Sequence, residues 1–234
     1  MKKRYVLALL FFVGSFLNSR AQELDDPEVA WDGLLYFGNK VTWGSSKWKN
    51  SGELQVRLRD YSKQLLQWQL EYVGTYLISK HVELVPDFRF TVKSTQYEFR
   101  PGFGVVLKHG QGYNQFVHQI KHQVDFRTNG AETTQTLRYF PTYSRILNEQ
   151  WLLGVTGGIY YKFTEEKNDF ELVVAGINGG HIINKQHAIN VTTAFLRQKD
   201  FASGNYLQGF ALICRLIINI NKDYEYMPAR YINF

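Results

Sequence analysis

The polar and apolar positions of this chain alternate with a period of two. From Gln96 to Lys108, Tyr97, Phe99, Pro101, Phe103, Val105 and Leu107 share one side of an extended backbone. Gln96, Glu98, Arg100, Gly102, Gly104 and Lys108 share the other. The same arrangement recurs upstream, where Leu54, Val56 and Leu58 oppose Gln55, Arg57 and Arg59, and Leu66, Trp68, Leu70 and Tyr72 oppose Gln67, Gln69 and Glu71. Val82, Leu84, Phe88, Phe90 and Val92 then oppose Glu83, Asp87, Arg89 and Thr91. Downstream, Phe116, His118, Ile120, His122, Val124 and Phe126 oppose Gln119, Lys121, Gln123, Asp125 and Arg127, and Leu137, Tyr139 and Tyr143 oppose Arg138, Thr142 and Ser144. Further apolar rows run through Trp151, Leu153, Val155, Ile159, Tyr161 and Phe163, through Phe170, Leu172 and Val174, through Ile189, Val191 and Phe195, and through Phe210, Leu212, Leu216, Ile218 and Ile220.

Turn chemistry separates the rows at Gly44-Ser45-Ser46, Lys93-Ser94, Thr128-Asn129-Gly130 and Asn148-Glu149. No helical period competes with the alternation. The pattern predicts an all-β fold, a single antiparallel up-and-down transmembrane β-barrel of about 12 strands, within roughly 10 to 12 allowed by the length. The tail is less regular: Tyr224, Tyr226, Ile232 and Phe234 share a parity that Pro228 and Arg230 interrupt. It reads either as a closing edge strand or as a segment folded elsewhere.

Alternation alone leaves open which solvent lies outside, because a soluble periplasmic lipocalin-like binder has the same pattern with its apolar side inward. The make-up of the polar face favours lipid outside. It concentrates Gln, Arg, Glu and Gly and sets both charge signs on one strand, as in Asp87 with Arg89, Glu98 with Arg100 and Asp125 with Arg127. Charges removed from bulk water need such partners. Aromatic residues gather toward the ends of the rows, at Trp43, Tyr113, Tyr143, Trp151 and Tyr161 to Phe163, where the two interfaces of a bilayer would lie.

The N-terminus predicts export from the cytoplasm. Lys2, Lys3 and Arg4 precede an apolar run from Tyr5 to Leu17, and small residues at Ser19 and Ala21 predict cleavage before Gln22. The run is shorter than the roughly 20 residues a membrane-crossing helix needs. Residues 1–21 thus read as a signal peptide and residues 22–234 as the barrel, with the bacterial outer membrane as destination. The leader takes four of the 27 basic residues and none of the 21 acidic ones, so the mature chain carries a net charge of +2 rather than +6. Nucleic-acid binding loses its compositional support with that change. The single cysteine, Cys214, sits in an apolar row and reads as a small inert residue.

Several short motifs carry a resemblance. Ala21-Gln22 at the cut, Trp31 and Trp43, Arg57-Leu58-Arg59, Glu98-Phe99-Arg100 and Leu137-Arg138-Tyr139 are similar to a Bacteroidetes outer-membrane barrel family known as domain of unknown function 2490. The resemblance implies a barrel and brings no activity with it. Tyr226, Ile232 and the final Phe234 resemble the C-terminal signal by which the outer-membrane assembly machinery recognises its clients, with Pro228 and Arg230 departing from it. Outer-membrane lipid and that machinery are the expected partners.

Candidate chemistry is sparse. Outer-membrane acyl hydrolases place a His two residues before a nucleophilic Ser, whereas the six histidines here are followed at that distance by Glu83, Gln111, Ile120, Val124, Ile183 and Ile189. A lipid-modifying enzyme stays as the alternative class, and no catalytic residue is assigned. His118 and His122 stand about 13 Å apart on one strand, too far to share an ion, so no metal or cofactor is expected. What remains is the inward charge set: Arg57, Arg59, Glu71, Glu83, Asp87, Arg89, Glu98, Arg100, Lys121, Asp125, Arg127 and Arg138. It reads as a structural ion-pair network, or as the constriction of a narrow solute pathway or ligand site with a preference for small polar or anionic molecules.

Overall fold

Rows of β-branched and aromatic residues broken by Gly, Asn and Ser produce strands joined by short turns. The computed structural model describes residues 29–220 other than positions 46, 129, 131, 166, 167 and 202. The leader expected at residues 1–21 and the tail from Tyr224 to Phe234 lie outside the described residues. Eleven strands follow one another: β1 (Val29–Gly44), β2 (Trp48–Arg59), β3 (Gln64–Leu77), β4 (Val82–Lys93), β5 (Tyr97–Gln111), β6 (Asn114–Arg127), β7 (Thr134–Ile146), β8 (Trp151–Phe163), β9 (Asn168–Ile182), β10 (His187–Lys199) and β11 (Tyr206–Asn219). Each pairs with its sequence neighbours, and β1 meets β11 to close the ring.

The closure corrects the sequence reading in two respects. Among the described residues there are eleven strands rather than about twelve, and the sheet is not antiparallel throughout. β1 and β11 run parallel, from Val29 beside Tyr206 to Thr42 beside Asn219, while every other pair is antiparallel. An odd number of sequentially antiparallel strands leaves the first and last pointing the same way. Side-chain alternation cannot reveal this, because it is identical for a strand read in either direction.

The rims differ in the turns that cover them. One rim, reached by the starts of β1 and β11, carries the β2–β3 turn, where Asp60, Tyr61 and Ser62 all have positive φ (51°, 52° and 73°). Such a run of left-handed non-glycine residues is held by tertiary contacts. Asp32 Oδ1 accepts the Asp60 N–H at 2.7 Å, and the Gly33 carbonyl accepts that of Tyr61 at 3.0 Å. The turn is thereby fixed over the start of β1.

Outside, the wall is apolar. Phe103 at the middle of β5 is 52% exposed, and Leu70, Ile120, Leu153 and Ile177 are exposed with it. Rings cluster near both rims, with Trp48 against Tyr76 at 4.9 Å and Phe116 against Tyr143 at 4.8 Å on one, and Phe90 against Tyr97 at 5.9 Å and Tyr161 against Phe170 at 5.1 Å on the other. Inside, most of the buried side chains are polar, carrying charges, amides or hydroxyls. This inverts the burial pattern of a water-soluble protein.

One apolar row changes sides. Phe170, Leu172 and Val174 share a parity in the sequence, yet Phe170 faces out while Leu172 and Val174 face in. The register between β8 and β9 shifts at Tyr160/Tyr161, so that Tyr160 pairs with Leu172 and Tyr161 with Phe170. The extra residue, Glu171, flips the phase beyond it. Val174 joins Tyr36, Phe140, Tyr160, Ala194, Leu196, Ala211 and Ile213 in an apolar cluster inside the barrel, with Leu34 and Leu172 packed against it.

Candidate functional site: a vestibule inside the barrel

Most of the inward charged residues lie on β2 to β7, because these strands place Arg, Lys, Glu and Asp on the lumenal parity, beside an inward apolar cluster of Val73, Val85, Val106 and Val117. The structure arranges the charged ones in successive pairs. Arg89 Nη2 donates to Glu71 Oε1 at 2.9 Å, and Lys121 pairs with Asp87. Arg100 pairs with Asp125 and, at 2.5 Å, with Glu98, which also faces Lys93 at 2.8 Å and Arg127 at 3.9 Å. Deeper toward the opposite rim, Glu83 pairs with Lys108 and has Lys49 at 4.0 Å.

Three of the arginines singled out in the sequence have different surroundings. Arg59 lies exposed at the mouth, its Nε donating to Gln64 Oε1 at 3.3 Å. The Arg57 guanidinium lies over the Tyr36 ring, 4.5 Å from its centroid, with Nε donating to Gln55 Oε1 at 2.6 Å. Arg138 donates from Nη1 to Gln123 Oε1 at 2.6 Å and from Nη2 to the Tyr160 hydroxyl, above whose ring it sits at 4.0 Å.

Ion pairs beyond the sequence-derived set complete the ring. Glu53 on β2 accepts from Arg215 Nε of β11 at 2.8 Å and from Gln55 Nε2 at 3.1 Å, and faces Lys40 of β1 at 4.0 Å. Lys162 on β8 reaches Glu171 at 3.0 Å. The signal for Glu53, Lys108 and Arg215 was present, since each continues a lumenal row: Glu53 that of Gln55 and Arg57, Lys108 that of Glu98 and Arg100, and Arg215 that of Gly209 and Ala211. Glu171 carried no such signal, because it is the inserted residue of the β8–β9 irregularity.

Glycines make the room. A Cβ on Gly102 would collide with Asp87 Oδ1 and lie 3.0 Å from Lys121 Cε, and one on Gly154 would lie 2.7 Å from Asn178 Oδ1. The barrel is filled at mid-depth, where Asn178, Thr192 and Ile213 are 0% exposed and Gln55, Gln69 and Lys121 are buried with them. Side chain rather than solvent occupies the lumen there.

Above that layer, under the rim bearing the β2–β3 turn, lies a cavity of about 460 Å³. Its lining includes six cations, Arg57, Arg59, Arg89, Lys93, Arg100 and Arg138, against three carboxylates, Asp32, Glu98 and Glu171. The facing wall is apolar, built from Leu34, Tyr36, Leu172 and Leu196. The vestibule is thus cationic on one side and greasy on the other. Such a site can hold a negatively charged group in a low-dielectric surround.

No family model matches the chain, and no curated protein matches it. Among solved structures, a bacterial polysaccharide outer membrane secretin superposes with a TM-score of 0.50 at 9% identity, covering 70% of this chain and 61% of that one. The NanC porin superposes with a TM-score of 0.52 at 11% identity, covering 76% of this chain and 93% of that one. The chain therefore spans less than two thirds of the secretin chain's length. At these identities the likeness is one of fold: the architecture is that of barrels found in outer membranes.

Proposed function

We propose that the chain spans a bacterial outer membrane as a barrel closed at mid-depth, and that it works by holding a ligand in its vestibule rather than by conducting solutes. The carrying observation is the filled layer at Gln55, Asn178, Thr192 and Ile213, which are fully buried at mid-depth. The apolar outer wall, the two aromatic zones and strands of 12 to 16 residues support the membrane part. A tilted crossing needs only about 9 to 11 residues. The export leader and the Phe234 tail motif in the sequence support delivery by the barrel-assembly machinery. Relationship to the Bacteroidetes family of unknown function 2490 belongs to the same proposal.

Recording in planar bilayers is the test. Purified full-length protein is expected to give no conductance steps at any applied voltage, and stepwise ion current would overturn the closed lumen. The lipid-facing assignment has its own check. Phe103→Arg sets a charge on the outer wall at mid-strand and is expected to destabilise the barrel by about 2 to 4 kcal/mol in lipid. Urea titration in bilayers reads the effect. An unchanged midpoint would mean that Phe103 does not face acyl chains.

A further inference from the structure

We infer that the vestibule binds a single-chain amphiphile with an anionic head, of which a fatty carboxylate is the simplest. Its head lies among Arg57, Arg89 and Arg138, and its chain lies along Leu34, Leu172 and Leu196. The inference deepens the ligand-holding reading above and rests on it.

Two independent features of the cavity point to this ligand. The first is a set of buried donors with nothing to donate to. Arg89 and Gln123 line the cavity at 2% and 1% exposure, and neither Arg89 Nε nor Gln123 Nε2 has a hydrogen-bond partner. The same holds for Arg57 Nη2. Among the described residues no carboxylate lies within ion-pair distance of Arg57, although its neighbours along the lumen are paired. Buried donors are costly to leave unmade, and these three want acceptors only. A carboxylate or sulfonate head is acceptor-only and charged, and it complements a wall whose lining carries six cations and three carboxylates, with Glu71 and Asp125 behind it pairing two of the cations.

The second feature is the opposite wall. A small hydrophilic anion would be served by polar groups all round, yet this half of the lumen presents Leu34, Leu172 and Leu196 beside the buried Tyr36–Ile213 cluster. In a barrel whose outside already meets an apolar phase, inward leucines next to arginines cover an alkyl chain while the head is held across the cavity. The volume, about 460 Å³, lies within the range of small-molecule sites.

Equilibrium dialysis of radiolabelled decanoate against the full chain in lipid nanodiscs, with empty nanodiscs subtracted, tests the assignment. One saturable site is expected, displaced by decyl sulfonate and not by decanol or citrate. Arg57→Gln and, separately, Leu172→Asn are each expected to weaken decanoate binding about tenfold or more. Each variant is first checked for the heat-modifiable gel mobility of a folded barrel, and the displacement series on the unaltered protein decides the matter if either misfolds. Absence of saturable uptake overturns the proposal. Displacement by citrate as effective as by decyl sulfonate overturns the role of the apolar wall, and displacement by decanol overturns that of the arginines. Bilayer current reads the closed lumen and dialysis reads the ligand, so the two can fail separately.

Discussion

Glu53→Ala is expected to cost the barrel about 3 to 5 kcal/mol, among the largest losses available from one side chain. Glu53 is buried between Lys40 and Arg215, both also buried, and these residues come from β2, β1 and β11. Its removal takes away the carboxylate that balances two cations inside a wall they cannot leave. It also acts where the ring closes. The barrel has made space for this carboxylate, since a Cβ on Gly38 would lie 2.6 Å from Glu53 Oε1. Urea midpoints in lipid, read by loss of the compact gel band, measure the effect. Asp169→Ala serves as the comparison. Its pair with Lys199 is partly exposed, and it should shift stability by no more than about 1 kcal/mol. If the two substitutions proved equal, the Glu53 cluster would hold no special place in the closure. Replacing Lys40, Glu53 and Arg215 together by apolar residues of similar volume is expected to recover most of the loss.

Gly102→Leu should be nearly as damaging, for a steric reason that becomes electrostatic. Position 102 faces the lumen between β4 and β6, and its missing side chain is the space in which Asp87 and Lys121 meet. Overpacking alone costs about 1 to 3 kcal/mol, and forcing apart a buried pair adds to it. The variant is expected to lose most of the compact, heat-modifiable band. Gly179→Leu introduces the same side chain at a β9 site where a Cβ meets nothing within 4 Å, and should leave that band intact. Equal loss in both variants would trace the effect to strand propensity rather than to lumen crowding.

Much of this architecture could be read from the chain. The two-residue period gives the strands, and on β5 it assigns Phe103 and Val105 outward and Glu98 and Arg100 inward, which is how the structure places them. The twelve charged residues singled out in the sequence lie on lumenal rows because a charged residue opposite Leu or Phe on a strand can face only one way. Three things were hidden. The direction of β1 relative to β11 is hidden because parity carries no polarity. The inward apolar wall is hidden because Val174, Ala194, Leu196 and Ile213 are as apolar as the residues on the outer face, leaving no contrast to read. The phase flip at Glu171 is hidden because an inserted residue in a strand changes no composition. The vestibule lies where the arginine rows of β2, β4, β5 and β7 face that unread wall, so its cationic half was legible and its greasy half was not.

The parallel seam has a consequence for how the ring assembles. Every other strand pair is a hairpin whose partners are neighbours in the chain, so each forms by closing a short loop at small entropic cost. Glu53 and Arg215 are 162 residues apart, and nothing local draws them together. Loop-closure entropy therefore favours zipping the seam last, onto a curved sheet whose first and final strands still present open backbone edges. Until then the rows that later enclose the cavity stand on an unclosed surface, so a guest of the vestibule sees its site only after the final strand has docked.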